Sequence, residues 1–146
     1  MSEKAIAILV GLLGLALCTI IVWLWNFIPL KEKLKRFANR EELTLDEIYL
    51  QFFASMNLPK ESFLELWNEV ADSLRLPRGK LRPGDRFDKE LAPAKGWEYD
   101  DEIADVYWAA QHRLKIADAD FDVSKIQTLG NYVEFFSKLK MHAAAR

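Results

Sequence analysis

Residues 100–139 read DDEIADVYWAAQHRLKIADADFDVSKIQTLGNYVEFFSKL, and this stretch decides the class of fold. Its apolar residues recur in steps of three and four, first as Ile103, Val106, Tyr107, Ala110 and Leu114, then as Leu129, Val133, Phe136 and Leu139. That period belongs to helices that each bury one face. Asp100, Asp101 and Glu102 crowd the expected first turn of the earlier helix, where carboxylates suit the positive end of the helix dipole. Thr128 stands where an N-cap hydroxyl is wanted for the later one. Between them, Asp118–Ile126 reads as a turn or a short helix.

Upstream, the segment from Arg78 to Lys95 is punctuated by Pro77, Pro83 and Pro93 and reads as a long structured loop. A loop of that length in a compact domain calls for a reason. Leu81, Phe87 and Leu91 are the residues expected to pin it to the core. Before it, Phe63, Leu66, Trp67, Val70 and Leu74 predict a helix starting near Pro59 and stopped by Pro77 and Gly79. Earlier still, Thr44 and Glu47 form a capping box, reinforced by Asp46. The helix it opens is expected to present Leu45, Ile48, Tyr49, Phe52 and Met56 on one face, up to the break at Asn57-Leu58-Pro59. No segment alternates apolar and polar residues for long, so the expected fold is all-α, a bundle of four or five helices.

The N-terminus is different in kind. Between Lys4 and Lys31 there is no charged residue. As a helix, Ala5–Leu30 is about 39 Å long, enough to cross a hydrocarbon core of about 30 Å. A cleaved signal peptide has a shorter apolar core, and Leu17 occupies the place where a lipoprotein cleavage box before Cys18 needs a small residue. Trp23 and Trp25 near the end of the run suit a membrane interface. Lys31, Lys33, Lys35, Arg36 and Arg40 follow the span and only Lys4 precedes it, so the positive-inside rule puts the remainder in the cytoplasm. The expected organisation is a single-pass anchor of the inner membrane over 1–30, a charged juxtamembrane stalk with an extra helix over 31–58, and a helical domain over 59–146. Lys31, Lys33, Lys35 and Arg36 join Trp23 and Trp25 as the membrane-interface set.

A net charge of −2 and the lack of a second basic stripe argue against nucleic acid as a partner. Cys18, the one cysteine, lies inside the span and allows no intrachain disulfide. Asp118, Asp120 and Asp122 alternate like the start of a calcium loop, but Val123 and Leu129 fall where that loop needs glycine and glutamate. His112 and His142 have no ligand-like spacing. No nucleophile set or phosphate loop appears, so no catalytic residue, metal or cofactor is expected. Trp108 lies off the apolar stripe of its helix, which leaves two readings open: an exposed protein-contact anchor, or a side chain packed on the loop or on the extra N-terminal helix.

The order of these elements carries a resemblance. Ser124-Lys125-Ile126-Gln127-Thr128-Leu129-Gly130, followed by an amphipathic helix, resembles the ending of the acyl carrier protein family. Asp85-Arg86-Phe87-Asp88-Lys89-Glu90-Leu91 resembles the segment before that family's prosthetic-group site, and Val70-Ala71-Asp72-Ser73-Leu74 the end of its first helix. The similarity covers Phe63 to Leu139. Counting back from Leu114 and Ile116, which take the places of the family's aromatic and isoleucine, the serine that carries phosphopantetheine falls on Asp100. A carboxylate does not accept that group, because the transfer needs a hydroxyl to attack coenzyme A. The chain looks closest to a degenerate branch that lacks this serine. Asp72-Ser73-Leu74 copies the family's Asp-Ser-Leu motif, but at a helix end rather than at the loop-to-helix start that modification needs.

The resemblance implies a surface rather than a reaction. Carrier proteins meet their enzymes through an acidic second helix, which here means Asp100, Asp101, Glu102, Asp105 and Trp108, facing a basic patch on a protein partner. The expected role is a non-catalytic, membrane-anchored interaction or regulatory module. The alternatives are a true carrier in lipid or surface-polymer synthesis, modified at another serine, and a small membrane inhibitor, immunity protein or membrane-complex subunit.

Overall fold

The computed structural model describes residues 3–94 and 102–144. Among the described residues there are five α-helices: α1 (Glu3–Phe37), α2 (Leu45–Ile48), α3 (Lys60–Ser73), α4 (Glu102–Ile116) and α5 (Leu129–Ala144). Among the described residues there is no strand; Arg86 and Thr128 make one isolated antiparallel bridge. The all-α class expected from the periodicity is the class observed.

α3, α4 and α5 form the bundle. Glu65 pairs with Lys140 at 2.6 Å, and Tyr132 donates to Glu69 at 2.8 Å, so α3 and α5 run antiparallel. Glu69 also holds Arg113, and Arg75 meets Glu102, so α3 and α4 are antiparallel too. Phe63, Leu66, Trp67 and Val70 of α3 are buried with Val106, Ala110 and Leu114 of α4 and Leu129, Val133 and Phe136 of α5. These are the faces that the three- and four-residue spacing defines, except that Tyr107, expected on the buried stripe of α4, is exposed. Tyr132 lies on the same stripe of α5 and is buried as well. Burial pushes its phenol above the usual tyrosine range, and the Glu69 carboxylate beside it adds to the shift. The Arg113 guanidinium bonds both Glu69 and the Tyr132 hydroxyl, which ties all three helices through one polar knot.

The segment after the capping box departs from a regular helix. Thr44 accepts from the Glu47 amide at 3.2 Å, and the Glu47 carboxylate returns to the Thr44 amide at 2.7 Å, as the box requires. Then Tyr49–Phe53 forms a π-helical turn, followed by a 3-10 turn at Ala54–Met56. A π turn inserts one residue into the helical repeat and shifts everything after it. Phe53, five residues after Ile48, is therefore buried with it, whereas Met56 is exposed. The expected stripe ending at Met56 is thus corrected to one that includes Phe53, whose ring packs against Phe63 and Trp67.

The long loop is structured as expected, with Leu81, Phe87 and Leu91 buried. It zips onto the entry of α5: Phe87 N–H donates to Gln127 O, Leu129 N–H to Asp85 O, and Gly130 N–H to Pro83 O at 2.8 Å. A Cβ at Gly130 would sit 2.9 Å from that same Pro83 oxygen, so only glycine permits the approach. No break in the core falls at residue 58: Phe37, Ile48, Phe53 and Leu58 belong to the same buried cluster as α3 and α5. Residues 31–58 are part of the domain rather than a stalk beside it.

Two measurements follow. In thermal unfolding of the detergent-solubilised chain, Phe53→Ala is expected to cost about 3–5 kcal/mol, while Met56→Ala stays within about 0.5 kcal/mol; equal effects would contradict the π-turn register. The Lys140 ammonium, donating to Glu65, holds that carboxyl below its usual range. A lowered folded pKa contributes stability above the unfolded value, and that contribution is lost as pH falls through the folded one. Glu65→Gln should therefore lower stability at neutral pH, leave strongly acidic pH unchanged, and so flatten the acid side of the stability–pH curve.

Candidate functional site

α1 is one continuous helix of 35 residues, about 52 Å long at the usual rise. Its Ile8–Phe37 part has a mean hydropathy of 2.5 over its most apolar window, and none of that window is buried inside the protein. The helix is long and apolar enough to cross a membrane. Its last turns are the opposite case, because they enter the domain.

The entry is sorted by helical geometry. Lys33 and Phe37, four residues apart, lie on one face and are both buried, at 1% and 0% exposure. Lys31 and Lys35 lie about 200° around the helix from Lys33 and are exposed. The Lys33 ammonium donates to Leu74 O at 3.3 Å and pairs with Glu102 in the first turn of α4. Glu102 also faces Arg75 Nε at 3.1 Å. One carboxylate therefore joins the ends of α1, α3 and α4. Arg75 sits at φ +53°, the left-handed position that closes α3, where glycine is usual.

One turn on, Arg36 donates from Nη1 to Lys89 O, Glu90 O and Ala92 O (2.7 Å for the last) and from Nη2 to Pro93 O. Four loop carbonyls thus converge on one guanidinium. Arg40 lies over the Phe37 ring at 4.7 Å and donates to Lys80 O and to the buried Asp85 carboxylate at 2.8 Å. The loop returns the contact, with Lys80 bonding Ala38 O and Arg82 bonding Glu41 O. Leu43 N–H donates to Gly79 O, and a Cβ on Gly79 would stand 2.5 Å from Leu43 O. The long loop is the cradle of α1.

This geometry corrects the expected membrane-interface set. Lys31 and Lys35 remain exposed, and Trp23 and Trp25 stand out on α1, with Trp23 stacked on Phe27 at 4.9 Å. Lys33 and Arg36 instead bond the domain. A stripe of Lys33, Phe37 and Arg40, at helical spacing inside an otherwise charged run, was the signal for it in the sequence.

The acidic surface is corrected as well. Glu102 is buried in the cradle, not offered outward. Asp105 and Trp108 are exposed on α4, Trp108 at 71%. Asp100 and Asp101, with Trp97, lie outside the described residues. Ser73 is the last residue of α3. Asp118 closes α4 in a left-handed conformation, and Asp122 accepts from the Ser124 amide and hydroxyl. Among the described residues no three acidic, histidine or cysteine side chains gather as a metal site. Away from the cradle, a groove of about 240 Å³ opens between α3, α5 and the end of α4, floored by Leu66, Phe136 and Leu139 and rimmed by Arg113 and Lys140.

Comparison with known proteins finds no matching family model, no matching curated protein and no matching solved structure.

The cradle makes a direct prediction. Removing one partner of a buried ion pair costs about 3–5 kcal/mol, whereas removing both is closer to neutral. Lys33→Met and Glu102→Gln should each lower the unfolding temperature strongly, and Lys33→Met with Glu102→Leu should recover most of the loss. Lys31→Ala and Lys35→Ala are expected to change stability by no more than about 0.5 kcal/mol.

Proposed function

We propose that this chain is a membrane-anchored, non-catalytic interaction module with acyl-carrier-like organisation, presenting one face of α4 to a protein partner at the cytoplasmic side of the inner membrane. The observation that carries the reading is the unbroken passage of α1 from an exposed apolar span into the core of the domain, ending on the first turn of α4. A helix seated this way holds the domain in one orientation and gives its surface a fixed bearing on the bilayer. The positive-inside rule supports the cytoplasmic side, since the basic residues follow the span.

The presented face is the outer side of α4. Asp105 and Trp108 are exposed there, with Ile116 two turns further at 73% exposure. An exposed tryptophan beside a carboxylate suits the anchor of a protein contact, since tryptophan is enriched among the residues that dominate interfaces. The order of α3, long loop, α4, a 3-10 turn at Val123–Lys125 and α5 agrees with the carrier-like resemblance, and Asp100 in the place of the modified serine favours recognition without a prosthetic group.

Affinity capture of the full chain in mild detergent tests this reading. Trp108→Ala and Asp105→Lys should each weaken retention of the partner at least ten-fold, because buried aromatic anchors contribute about 2 kcal/mol or more. Retention of every captured protein by the double variant would remove α4 as the contact. A mass gain of one phosphopantetheine after incubation with coenzyme A and a transferase would replace this reading with that of a true carrier.

A further inference from the structure

The cradle has a side that faces the membrane, and its chemistry is basic. Trp23 and Phe27 stack at the end of the apolar run. From Phe27 the helix rises only about 6 Å to Lys31 and about 12 Å to Lys35, within the headgroup region and the first layer of counter-ions beyond it. Helical side chains lean toward the N-terminus of their helix. Lys33 therefore reaches back toward the bilayer, and the groups it bonds, Leu74 O and Glu102, are drawn to that level. The end of α3 and the first turn of α4 are thus the described parts of the bundle that meet α1 at Lys33, on the side of its apolar run.

Three cations stand there with charge to offer. Lys31 and Lys35 are exposed on the side of α1 turned away from the cradle, and the ion pairs among the described residues do not include them. Arg75, with its side chain 55% exposed, shares Glu102 with the buried Lys33, so that trio carries a net positive charge. Glu32 is the exposed carboxylate within this stretch of α1, and Asp72 is already held by Arg78 at 2.8 Å. An arginine in a left-handed backbone position that glycine fills at less cost points to a use for its side chain.

We propose that Lys31, Lys35 and Arg75 form a binding surface for anionic phospholipid headgroups, which seats the cradle end of the domain against the leaflet. The lysines contact phosphates from the helix and Arg75 from the bundle, so domain and anchor are held by the same lipid layer. This inference rests on α1 spanning the membrane, and it is independent of the partner face on α4.

The test uses the full chain in nanodiscs of mixed phosphatidylcholine and phosphatidylglycerol, with co-isolated lipid counted by native mass spectrometry. Phosphatidylglycerol should be enriched around the wild-type chain and lose that enrichment in high salt. Lys31→Gln, Lys35→Gln and Arg75→Gly should each reduce it by up to about five-fold, and the triple variant should abolish it. Arg75→Gly suits the left-handed backbone, so an unchanged or higher unfolding temperature shows that its effect is on lipid and not on folding. Equal enrichment in the triple variant overturns the proposal. Release of the wild-type chain by alkaline carbonate would instead overturn the membrane span itself, and the two failures are told apart by that extraction.

Discussion

Lys33 is 1% exposed, and an ammonium ion withdrawn from water to that degree needs full compensation within the protein. Glu102 and Leu74 O supply it. That demand places the end of α1, the end of α3 and the beginning of α4 at one point. Arg75 and the closing turn of α3 are arranged around the same carboxylate. Remove the ammonium, and Glu102 becomes a buried charge held from one side only. The arrangement makes the last turns of a long, otherwise exposed apolar helix an internal part of a small helical domain.

The cradle also explains why a short chain keeps a long loop with no α-helix or strand among its described residues. The carbonyls of residues 89–93 have no helix or sheet to satisfy them, and Arg36 takes four of them at once. Asp85, buried in the same loop, receives Arg40 and the Arg82 amide. On its other side the loop bonds the entry of α5 through backbone groups at Pro83, Asp85 and Phe87. It is therefore the layer between the apolar helix and the bundle, and its order depends on both.

Such a joint has a functional consequence under the proposed role. A flexible stalk would let the exposed face of α4 sample many orientations; a helix that ends in the core does not. Trp108 and Asp105 lie within two turns of the residue that binds Lys33. The bearing of that face relative to the span is then set by the fold, and a partner in or near the membrane meets it at a constant height.

Much of this was legible in the residues. The period of three and four assigns α3, α4 and α5 and most of their buried faces, because each helix must hide one apolar stripe regardless of its neighbours. The uncharged run from Ala5 to Leu30 and the capping box at Thr44 are likewise local signals, readable without knowing what packs against them. The π turn at Tyr49–Phe53 was not: it exchanges Met56 for Phe53 in the core, and only packing against Phe63 and Trp67 selects that register. Nor could charge pattern alone separate Lys33 and Arg36 from Lys31 and Lys35, or turn Glu102 away from its acidic neighbours. By itself the sequence determined which segments are helices, which one is apolar enough to span a membrane, and that the domain is all-α. Tertiary structure decided which charges face inward, because the worth of a charge depends on partners brought from distant parts of the chain.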